Sequence, residues 1–336
     1  MLFRSQDGET VPHCIQTRVL TKDEEAQTRP VAPEPTDATP VFSGQSLPAE
    51  EDGSLSEYRV VQRTLAAVSL ASVAKTNPGR PYYFLMDRRT RDIMMGDIEK
   101  ICKAYDVTNF HAVVFSDETK TKISTFGNSG LTFMANARLR LHDLFPHPQG
   151  IWIDTDTLVR ENFSTMTQIA QRHYRDGNYV CGVLDGDWVP RKRAAAYINS
   201  GVLHMNFEAL RTVKPSPVET AMFGVSPTDG LFDQTVVNNL RHGLLDGRWN
   251  VLMGDTMRRT WYISPDDWSA TIDERVDTAY ILHFTGDKVH MHNMHHKFSF
   301  YFFQALRELI DKAGVGLDSS SGGLQITDSW KRRLGL

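Results

Sequence analysis

Two aspartates separated by one residue, Asp154 and Asp156, follow a short apolar run that ends at Ile153. Side chains alternate along an extended strand, so both carboxylates would point to the same side if the chain stayed extended. Carboxylate oxygens are the ligands that hard divalent cations prefer, and ligands of open α/β sheets bind beyond the carboxyl ends of the strands. The pattern therefore predicts a site for a divalent metal ion that carries a nucleotide diphosphate.

The order of strand-like and helix-like segments indicates how this site is positioned. Apolar runs predict strands at 82–86, 110–115, 150–153, 179–184, 201–207 and 280–284. Helical spacing of apolar residues predicts helices over 62–75, 96–105, 131–144 and 298–313, and another that begins at 233. Such alternation implies an α/β sheet with parallel crossover connections.

Composition divides the chain into three segments. Residues 1–56 are rich in Pro, Glu, Ser and Thr and hold few large apolar residues. Such a segment cannot bury enough apolar surface to offset the entropy lost on ordering, so we predict a largely disordered N-terminal arm. Residues 57–315 would form one folded domain. Residues 316–336, which include a Ser-Ser-Ser-Gly-Gly run, would form a flexible C-terminal tail.

Overall composition excludes some classes of partner. The chain has 336 residues, of which 40% are hydrophobic, and a net charge of −4 without a dense Lys/Arg stripe, which argues against nucleic-acid binding. Its three cysteines lie far apart in the sequence, as is typical of free thiols in a reducing compartment. No apolar run approaches the roughly 20 residues of a membrane span. We therefore expect a cytoplasmic protein, with peripheral membrane contact or secretion as an effector left open.

Several motifs surround the predicted metal site in a fixed order. They are Met134–Leu141 (MANARLRL), Asp154-Thr155-Asp156, Tyr197–Phe207 (YINSGVLHMNF), Phe232–Asn238 (FDQTVVN), Arg248-Trp249-Asn250 and His283–Lys288 (HFTGDK). From about Leu65 to about Lys288 the chain resembles the family 8 glycosyltransferases. These are retaining nucleotide-sugar transferases that include glycogenin and the bacterial lipopolysaccharide galactosyl- and glucosyltransferases.

The resemblance implies both a fold and a reaction. The fold is a single GT-A nucleotide-binding domain, in which helices flank a mixed, mainly parallel sheet. The reaction is transfer of a hexose, with retention, from UDP-glucose or UDP-galactose to a glycan, lipid-linked or protein acceptor. Mn²⁺, with Mg²⁺ as the second candidate, would bind the diphosphate leaving group.

The resemblance also implies roles for individual residues. Asp154, Asp156 and His283 would bind the metal ion. Asp233 and Gln234 would lie beneath the anomeric carbon as candidate catalytic residues. Substrate contacts would come from Arg138, Thr155, Asn199, Ser200, Gly201, Gly286 and Lys288, with Asn199, Ser200 and Gly201 in a loop that lines the sugar pocket.

The chemistry of the reaction explains why these residue types are needed. The departing UDP accumulates negative charge, which a divalent cation and Lys288 would stabilise. Retention by double displacement needs a positioned nucleophile, for which Gln234 and Asp233 are candidates. An amide is a poor nucleophile, so we favour attack by the acceptor from the leaving-group face.

Two features depart from the family pattern. The family usually places a lysine three residues after the glycine of its His-x-x-Gly motif, but Val289 stands there, Lys288 comes one residue early and His290 follows. Either Lys288 or His290 would therefore contact the diphosphate. The first strand of the family, which carries the uracil contacts, matches 58–61 or 18–23, and neither fits well.

Other interpretations compete with the resemblance. A phosphohydrolase of the haloacid dehalogenase type also has a strand followed by Asp-x-Asp, but Leu158 stands where that class has Thr or Val. A catalytically silent binding protein on a GT-A scaffold stays open because of the displaced lysine. Asp233 is also typical of a helix N-cap, and Asp185 of a turn after a strand. The histidines at 290, 292, 295 and 296 indicate a solvated loop rather than a zinc site, since no cysteine is near.

Overall fold

Ten strands form two sheets in the part of the chain that the structure describes. This computed structural model describes residues 39–45, 47, 57–116, 119, 123, 133–185, 197–226, 229, 232–253, 272–285, 296–315 and 327–335. The strands are β1 (Val41–Gln45), β2 (Tyr82–Met86), β3 (Phe110–Val114), β4 (Gly150–Ile153), β5 (Thr157–Val159), β6 (Val180–Leu184), β7 (Ile198–Met205), β8 (His242–Leu244), β9 (Val251–Leu252) and β10 (Ile281–His283).

The larger sheet has seven strands in the order β3-β2-β1-β4-β7-β6-β8. Within it β1 pairs in parallel with β2 and β4, β2 with β3, and β6 with β8. β7 runs antiparallel to its neighbours β4 and β6. The predicted mixed, mainly parallel α/β sheet is therefore confirmed. In the smaller sheet β10 lies between β5 and β9, antiparallel to the first and parallel to the second.

Helices connect the strands and cover the larger sheet. They are α1 (Glu57–Thr76), α2 (Arg88–Ala104), α3 (Phe133–Ala137), α4 (Leu141–Leu144), α5 (Ser164–Arg175), α6 (Phe207–Thr212), α7 (Pro217–Met222), α8 (Phe232–Asn239), α9 (Ile272–Thr278), α10 (His296–Ala313) and α11 (Asp328–Leu334). The helix predicted over 131–144 is interrupted by a 3₁₀ turn at Arg138–Arg140. None of the described helices is long and apolar enough to cross a membrane.

A local cap explains why α2 begins earlier than its apolar spacing predicts. The Asp87 carboxylate accepts a hydrogen bond from the Thr90 amide (2.7 Å), so the helix begins at Arg88 and not at residue 96. A side-chain acceptor at this position satisfies an amide that has no partner within the helix. The prediction from apolar spacing therefore missed the first turns of α2, although Met94 in them is buried in the core.

Apolar side chains pack against both faces of the larger sheet. Along β4, Ile151 and Ile153 belong to one apolar cluster and Trp152 to another. The first cluster is completed by α1, α2 and α10, and the second by α3, α6 and α8. A strand buried on both faces is continuously apolar instead of alternating, as β4 is. Asp154 is thus the first polar residue beyond a strand that two apolar layers enclose.

The first strand of the sheet lies within the segment predicted as a disordered arm. β1 pairs with β2 on one side and β4 on the other, and Val41 and Phe42 are fully buried. The arm prediction was therefore wrong for residues 39–45, and the domain begins before residue 57. Residues 58–61, one candidate for this strand, belong to α1, and 18–23 lie outside the described residues. The sequence of β1 does not predict a strand, because its last three residues are polar or small. Ser43 is buried all the same, and its hydroxyl is 2.6 Å from the Tyr82 hydroxyl.

The C-terminal segment also contains order that its composition does not predict. α11 is capped by the Thr327 side chain at its start and by Gly335 after Leu334, where Gly335 has a φ of 70° in the left-handed region. Trp330 is 5% exposed and packs edge-on against Phe302 of α10, with ring centroids 5.0 Å apart. The prediction of a flexible tail was therefore wrong for 327–335. Residues 1–38 and 316–326 lie outside the described residues, and their assignments stay predictions.

Candidate metal centre

Three potential metal ligands, Asp154, Asp156 and His283, meet where β4 ends and the smaller sheet begins. The antiparallel pairing of β5 with β10 sets His283 opposite Thr157. The Phe284 amide donates a hydrogen bond to the Asp156 carbonyl (2.8 Å) and continues this pairing. The smaller sheet thus places His283, which is distant in sequence, beside the two aspartates.

The two aspartates lie in a turn and not in an extended strand. Thr155 and Asp156 form the turn between β4 and β5. The Thr157 hydroxyl donates to the Asp154 carbonyl (2.8 Å), and the Asp154 amide donates to the Gly201 carbonyl (2.7 Å). The two carboxylates do converge, but the expected reason, alternation along a strand, was wrong. Convergence comes from the reversal of the chain.

The geometry of the three side chains suits a cation. One ligand atom from each lies within 4.8 Å of the others. His283 Nε2 is 3.2 Å from Asp156 Oδ1 and 3.8 Å from Asp154 Oδ2. The side chain of Asp154 is 27% exposed, whereas those of Asp156 and His283 are 7% and 3% exposed. Asp156 and His283 would therefore contact a bound ion from the protein interior, and further ligands would reach the ion from solvent on the side of Asp154.

The electrostatics of Asp154 reflect this crowding. Burial raises the pKa of its carboxyl, and the neighbouring Asp156 raises it further. Arg138, His283 and a hydrogen bond from Trp152 Nε1 (2.8 Å) act in the opposite direction, but the pKa stays above its ordinary value. Two carboxylates held close together repel each other, and a divalent cation between them would remove that repulsion.

Gly201 allows β7 to approach the three ligands closely. A Cβ at this position would lie 2.2 Å from His283 Cε1 and 2.9 Å from Asp154 Oδ2. Real Cβ atoms do not make contacts this short. The position therefore requires glycine because of space, and not because of an unusual backbone conformation.

Arg138 lies at the centre of the site and is almost fully buried. Its guanidinium Nη2 is 3.1 Å from Asp154 Oδ1, and its Nε is 3.3 Å from Asp233 Oδ2. Nη1 donates to the Ser200 carbonyl, and the guanidinium stacks over the Trp152 ring at 4.9 Å. Arg138 thus connects Asp154, a candidate metal ligand, to Asp233 of the predicted catalytic pair.

Arg140, the neighbouring basic residue that could be confused with Arg138, points elsewhere. It pairs with Asp143 at 3.2 Å on the outside of α4. Residues two positions apart point to different sides of a helical turn, so Arg138 faces the site while the Arg140 side chain, 18% exposed, does not.

The three residues predicted in a sugar-pocket loop lie in β7. Asn199, Ser200 and Gly201 are all within this strand, at the end that adjoins Asp154. The Ser200 hydroxyl donates to Asp233 Oδ2 (3.0 Å). Asp233 is the second residue of α8, so its carboxylate contacts Ser200 and Arg138 from within the first helical turn. The loop assignment was wrong because β7 begins at Ile198, three residues before the predicted strand.

Gln234 is held by a buried hydrogen-bond network. Its Oε1 accepts from the Ser200 amide (3.1 Å) and from Asn199 Nδ2 (3.3 Å), and it lies 3.3 Å from the Ser200 hydroxyl, whose one proton points to Asp233. Its Nε2 donates to Asp185 Oδ2 (2.9 Å), which also accepts from Asn199 Nδ2 (3.1 Å). The turn interpretation of Asp185 thus missed a member of the site. Its position just beyond the carboxyl end of β6 was the available signal.

Thr155 contacts the first strand of the sheet. Its hydroxyl donates to Oε1 of Gln45, the last residue of β1, at 2.5 Å. Gln45 is a second site neighbour that the sequence did not reveal, because its strand was not recognised. Gly286, Lys288 and the histidines at 290, 292 and 295 lie outside the described residues.

Comparison with known proteins identifies the fold. No protein-family profile and no curated protein matches the sequence. The structure is similar to the galactosyltransferase LgtC in complex with donor and acceptor sugar analogues, at 14% identity and a TM-score of 0.52, covering 88% of this chain and 100% of that one. An active-site mutant of LgtC gives 14% identity, a TM-score of 0.54 and coverage of 89% and 100%.

A third similar structure is the bifunctional glycosyltransferase WbbM in its apo form. It is 13% identical, with a TM-score of 0.51, covering 82% of this chain and 51% of that one. The chain thus spans the whole of LgtC and about half of WbbM. At these identities the likeness shows the fold alone, so the predicted GT-A fold is confirmed. Membership of family 8 is not shown by it.

Proposed function

We propose that this protein is a retaining glycosyltransferase that moves a hexose from UDP-glucose or UDP-galactose to a glycan, lipid-linked or protein acceptor. The observation that carries the proposal is the convergence of Asp154, Asp156 and His283 at the end of β4 on a GT-A fold. In LgtC the same fold accommodates donor and acceptor sugar analogues. The carboxyl end of β4 is also where an open α/β sheet binds its ligands.

The donor atoms of the three ligands fit Mn²⁺, with Mg²⁺ as the second candidate. Carboxylate oxygens suit both ions, and the imidazole nitrogen of His283 favours the transition metal. When bound, such an ion would neutralise the negative charge that develops on the diphosphate leaving group. Asp154, the most exposed of the three ligands, lies on the side from which the diphosphate would approach.

Arg138 would position the acidic groups of the site and not bind the leaving group itself. Its guanidinium is already engaged by Asp154, Asp233 and the Ser200 carbonyl. A buried arginine with several acceptors holds them in a fixed arrangement because its planar donor geometry is rigid. The Asp233 carboxylate would then stabilise positive charge that develops on the sugar.

The environment of Gln234 supports attack by the acceptor from the leaving-group face. Its amide oxygen accepts hydrogen bonds from the Ser200 amide and from Asn199 Nδ2. These donors withdraw electron density from an oxygen that is already a weak nucleophile. A glutamine also belongs to the active site of LgtC, since the mutant of that enzyme replaces one by glutamate. We assign Gln234 to holding the sugar pocket beneath the anomeric carbon.

The remaining predicted contacts complete the proposal. Thr155, Asn199, Ser200 and Gly201 would line the donor pocket, and Gly286 with Lys288 would contact the diphosphate. His290 is the alternative to Lys288. The shared fold is that of glycosyltransferases, which disfavours a phosphohydrolase of the haloacid dehalogenase type. A catalytically silent GT-A binding protein is the alternative that the experiment has to separate.

The experiment is release of UDP from a panel of UDP-sugars, with and without Mn²⁺. One donor should be hydrolysed slowly in a metal-dependent way, and Asp156→Asn should lower the rate by about 100-fold or more, because it removes a charged ligand. Asp92→Asn is the matched control, since Asp92 lies at the surface of α2 beside Arg91. Metal-dependent binding of a UDP-sugar without turnover would indicate a silent scaffold. No binding at all would contradict the proposal.

A further inference from the structure

We propose that Asn250 is the positioning residue for the metal ligand His283, through a chain of hydrogen bonds that begins at Asp185 and the Gly201 amide. The inference rests on the proposed metal-dependent function. His283 Nδ1 is 2.9 Å from Asn250 Oδ1, and Asn250 Nδ2 donates to Asn199 Oδ1 (2.9 Å). Asn250 and His283 are each 2% exposed, so neither depends on solvent for its partner.

The direction of every hydrogen bond in this chain follows from two groups that cannot reverse. The Gly201 backbone amide can only donate, and it donates to Asn199 Oδ1 (2.9 Å). The Asp185 carboxylate, when ionised, can only accept, and it accepts from Asn199 Nδ2 (3.1 Å). The amide of Asn199 therefore has one orientation, with its oxygen toward Asn250.

The orientation of Asn199 decides which ring nitrogen of the neutral His283 imidazole carries the proton. Because Asn199 presents an oxygen, the Asn250 atom that faces it must be the NH₂ group, and Asn250 turns its own oxygen toward His283. The neutral imidazole then carries its proton on Nδ1 and leaves the lone pair of Nε2 free. That nitrogen faces Asp156 at 3.2 Å and Asp154 at 3.8 Å.

The result is a pocket in which three acceptors converge. Metal-binding histidines commonly donate their second ring N–H to a carbonyl or carboxylate, which fixes the tautomer and the ring plane. Without an acceptor at Nδ1, the proton would move to Nε2 and donate to the Asp156 carboxylate, which would close the metal site. Asp185 also accepts from Gln234 Nε2 (2.9 Å), so one carboxylate orients both the metal ligand and the sugar pocket.

Substitutions at position 250 separate the two hydrogen bonds. Asn250→Ala removes the acceptor for His283 and the donor to Asn199. Asn250→Asp retains an acceptor for His283 but cannot donate to Asn199. We therefore expect the aspartate variant to keep the Nδ1–H tautomer and to bind Mn²⁺ within a few-fold of the wild type, whereas the alanine variant loses about 10- to 100-fold in affinity.

The experiment has two measurements on the full chain, neither of which requires turnover. Long-range ¹H–¹⁵N spectra of the metal-free, histidine-labelled protein above pH 8 report the tautomer of His283, assigned with His283→Gln. Titration with Mn²⁺, followed by calorimetry and by the electron paramagnetic resonance of the free ion, reports affinity. Asn206→Ala is the matched control, because it removes a buried asparagine that caps α6 far from the site. It should lower stability without changing either signal.

The expected result is Nδ1–H in the wild type and in Asn250→Asp, and Nε2–H in Asn250→Ala. An Nε2–H wild type, a wild type that binds no Mn²⁺, or an alanine variant with wild-type tautomer and affinity would each overturn the inference. If the tautomers and affinities follow the expectation but no UDP-sugar is turned over, the inference stands and the proposed transferase function fails.

Discussion

Replacing Gly201 by alanine tests whether close packing of β7 builds the metal centre. The new Cβ would lie 2.2 Å from His283 Cε1, 2.9 Å from Asp154 Oδ2 and 3.0 Å from Asn199 Oδ1. Ordinary contact begins at 3.4 Å, so the imidazole carbon has to retreat by 3.4 − 2.2 = 1.2 Å. All three neighbours belong to the site or to the hydrogen bonds that orient it.

The size of the effect follows from how firmly these groups are held. The Gly201 carbonyl accepts from the Asp154 amide, so β7 cannot withdraw without moving that ligand. Overpacking of this kind costs about 1–3 kcal/mol of stability. Losing a group that orients a metal ligand costs about 10- to 100-fold in metal affinity, and this substitution displaces the ligand itself. We expect Gly201→Ala to lose about 100-fold in Mn²⁺ affinity and about 1–3 kcal/mol in unfolding free energy.

The assay combines a Mn²⁺ titration with urea denaturation, and two glycines provide controls. Gly182→Ala on β6 would place a Cβ against the flexible ends of Ile198 and Leu203, at 2.9 and 3.1 Å, so stability falls but Mn²⁺ affinity is retained. Gly96→Ala in α2 meets nothing within 4 Å and should stabilise the protein by about 0.5–1 kcal/mol. Wild-type Mn²⁺ affinity in Gly201→Ala would refute the argument that contact with β7 defines the metal site.

Three further predictions concern stability. Arg63→Ala should cost about 3–5 kcal/mol in urea denaturation, because the Asp97 carboxylate, 2.5 Å from the guanidinium, is buried with it; a loss below about 1 kcal/mol would contradict this. Burial lowers the pKa of His204 to about 3 from 6.5. The unfolded state therefore binds the extra proton first, and stability falls as the pH drops below 6.5, by about 2 kcal/mol between pH 7 and 5. Comparing the wild type with His204→Gln at both pH values isolates this share, and an unchanged pH dependence would refute it. Trp330→Ala should expose the amides of α11 to hydrogen exchange, since truncating this buried ring, which packs on Phe302, costs about 3 kcal/mol; unchanged protection there would contradict the packing argument.

Parts of the fold could be predicted because their signals are local. β2 and β4 are continuous apolar runs, and a strand buried on both faces shows such a run wherever it lies in the chain. β1 could not be recognised in this way. Its Ser43, Gly44 and Gln45 are polar or small, and the buried side chains of Ser43 and Gln45 have hydrogen-bond partners, Tyr82 and Thr155, that are distant in sequence. α11 is similar, since Trp330 is buried by a helix that is distant in sequence.

The residues of the candidate site also fall into those that the local sequence predicts and those that it does not. Asp154 and Asp156 could be predicted because the spacing of like residues after an apolar strand is a local feature. Asp185 and Asn250 could not be assigned roles, because each acts through partners on other elements. The pairing of β5 with β10 is also non-local. Before this pairing forms, nothing places His283 beside Asp154 and Asp156.

The sequence by itself determined the alternation of strands and helices, the acidic pair and the order of the motifs, because residue type and spacing are properties of the chain. Only the tertiary structure decided which side chain contacts His283 Nδ1, which arginine faces inward and why position 201 must be glycine. Those properties depend on distances of a few ångströms between elements that are far apart in sequence, and such distances exist only after the sheet has assembled.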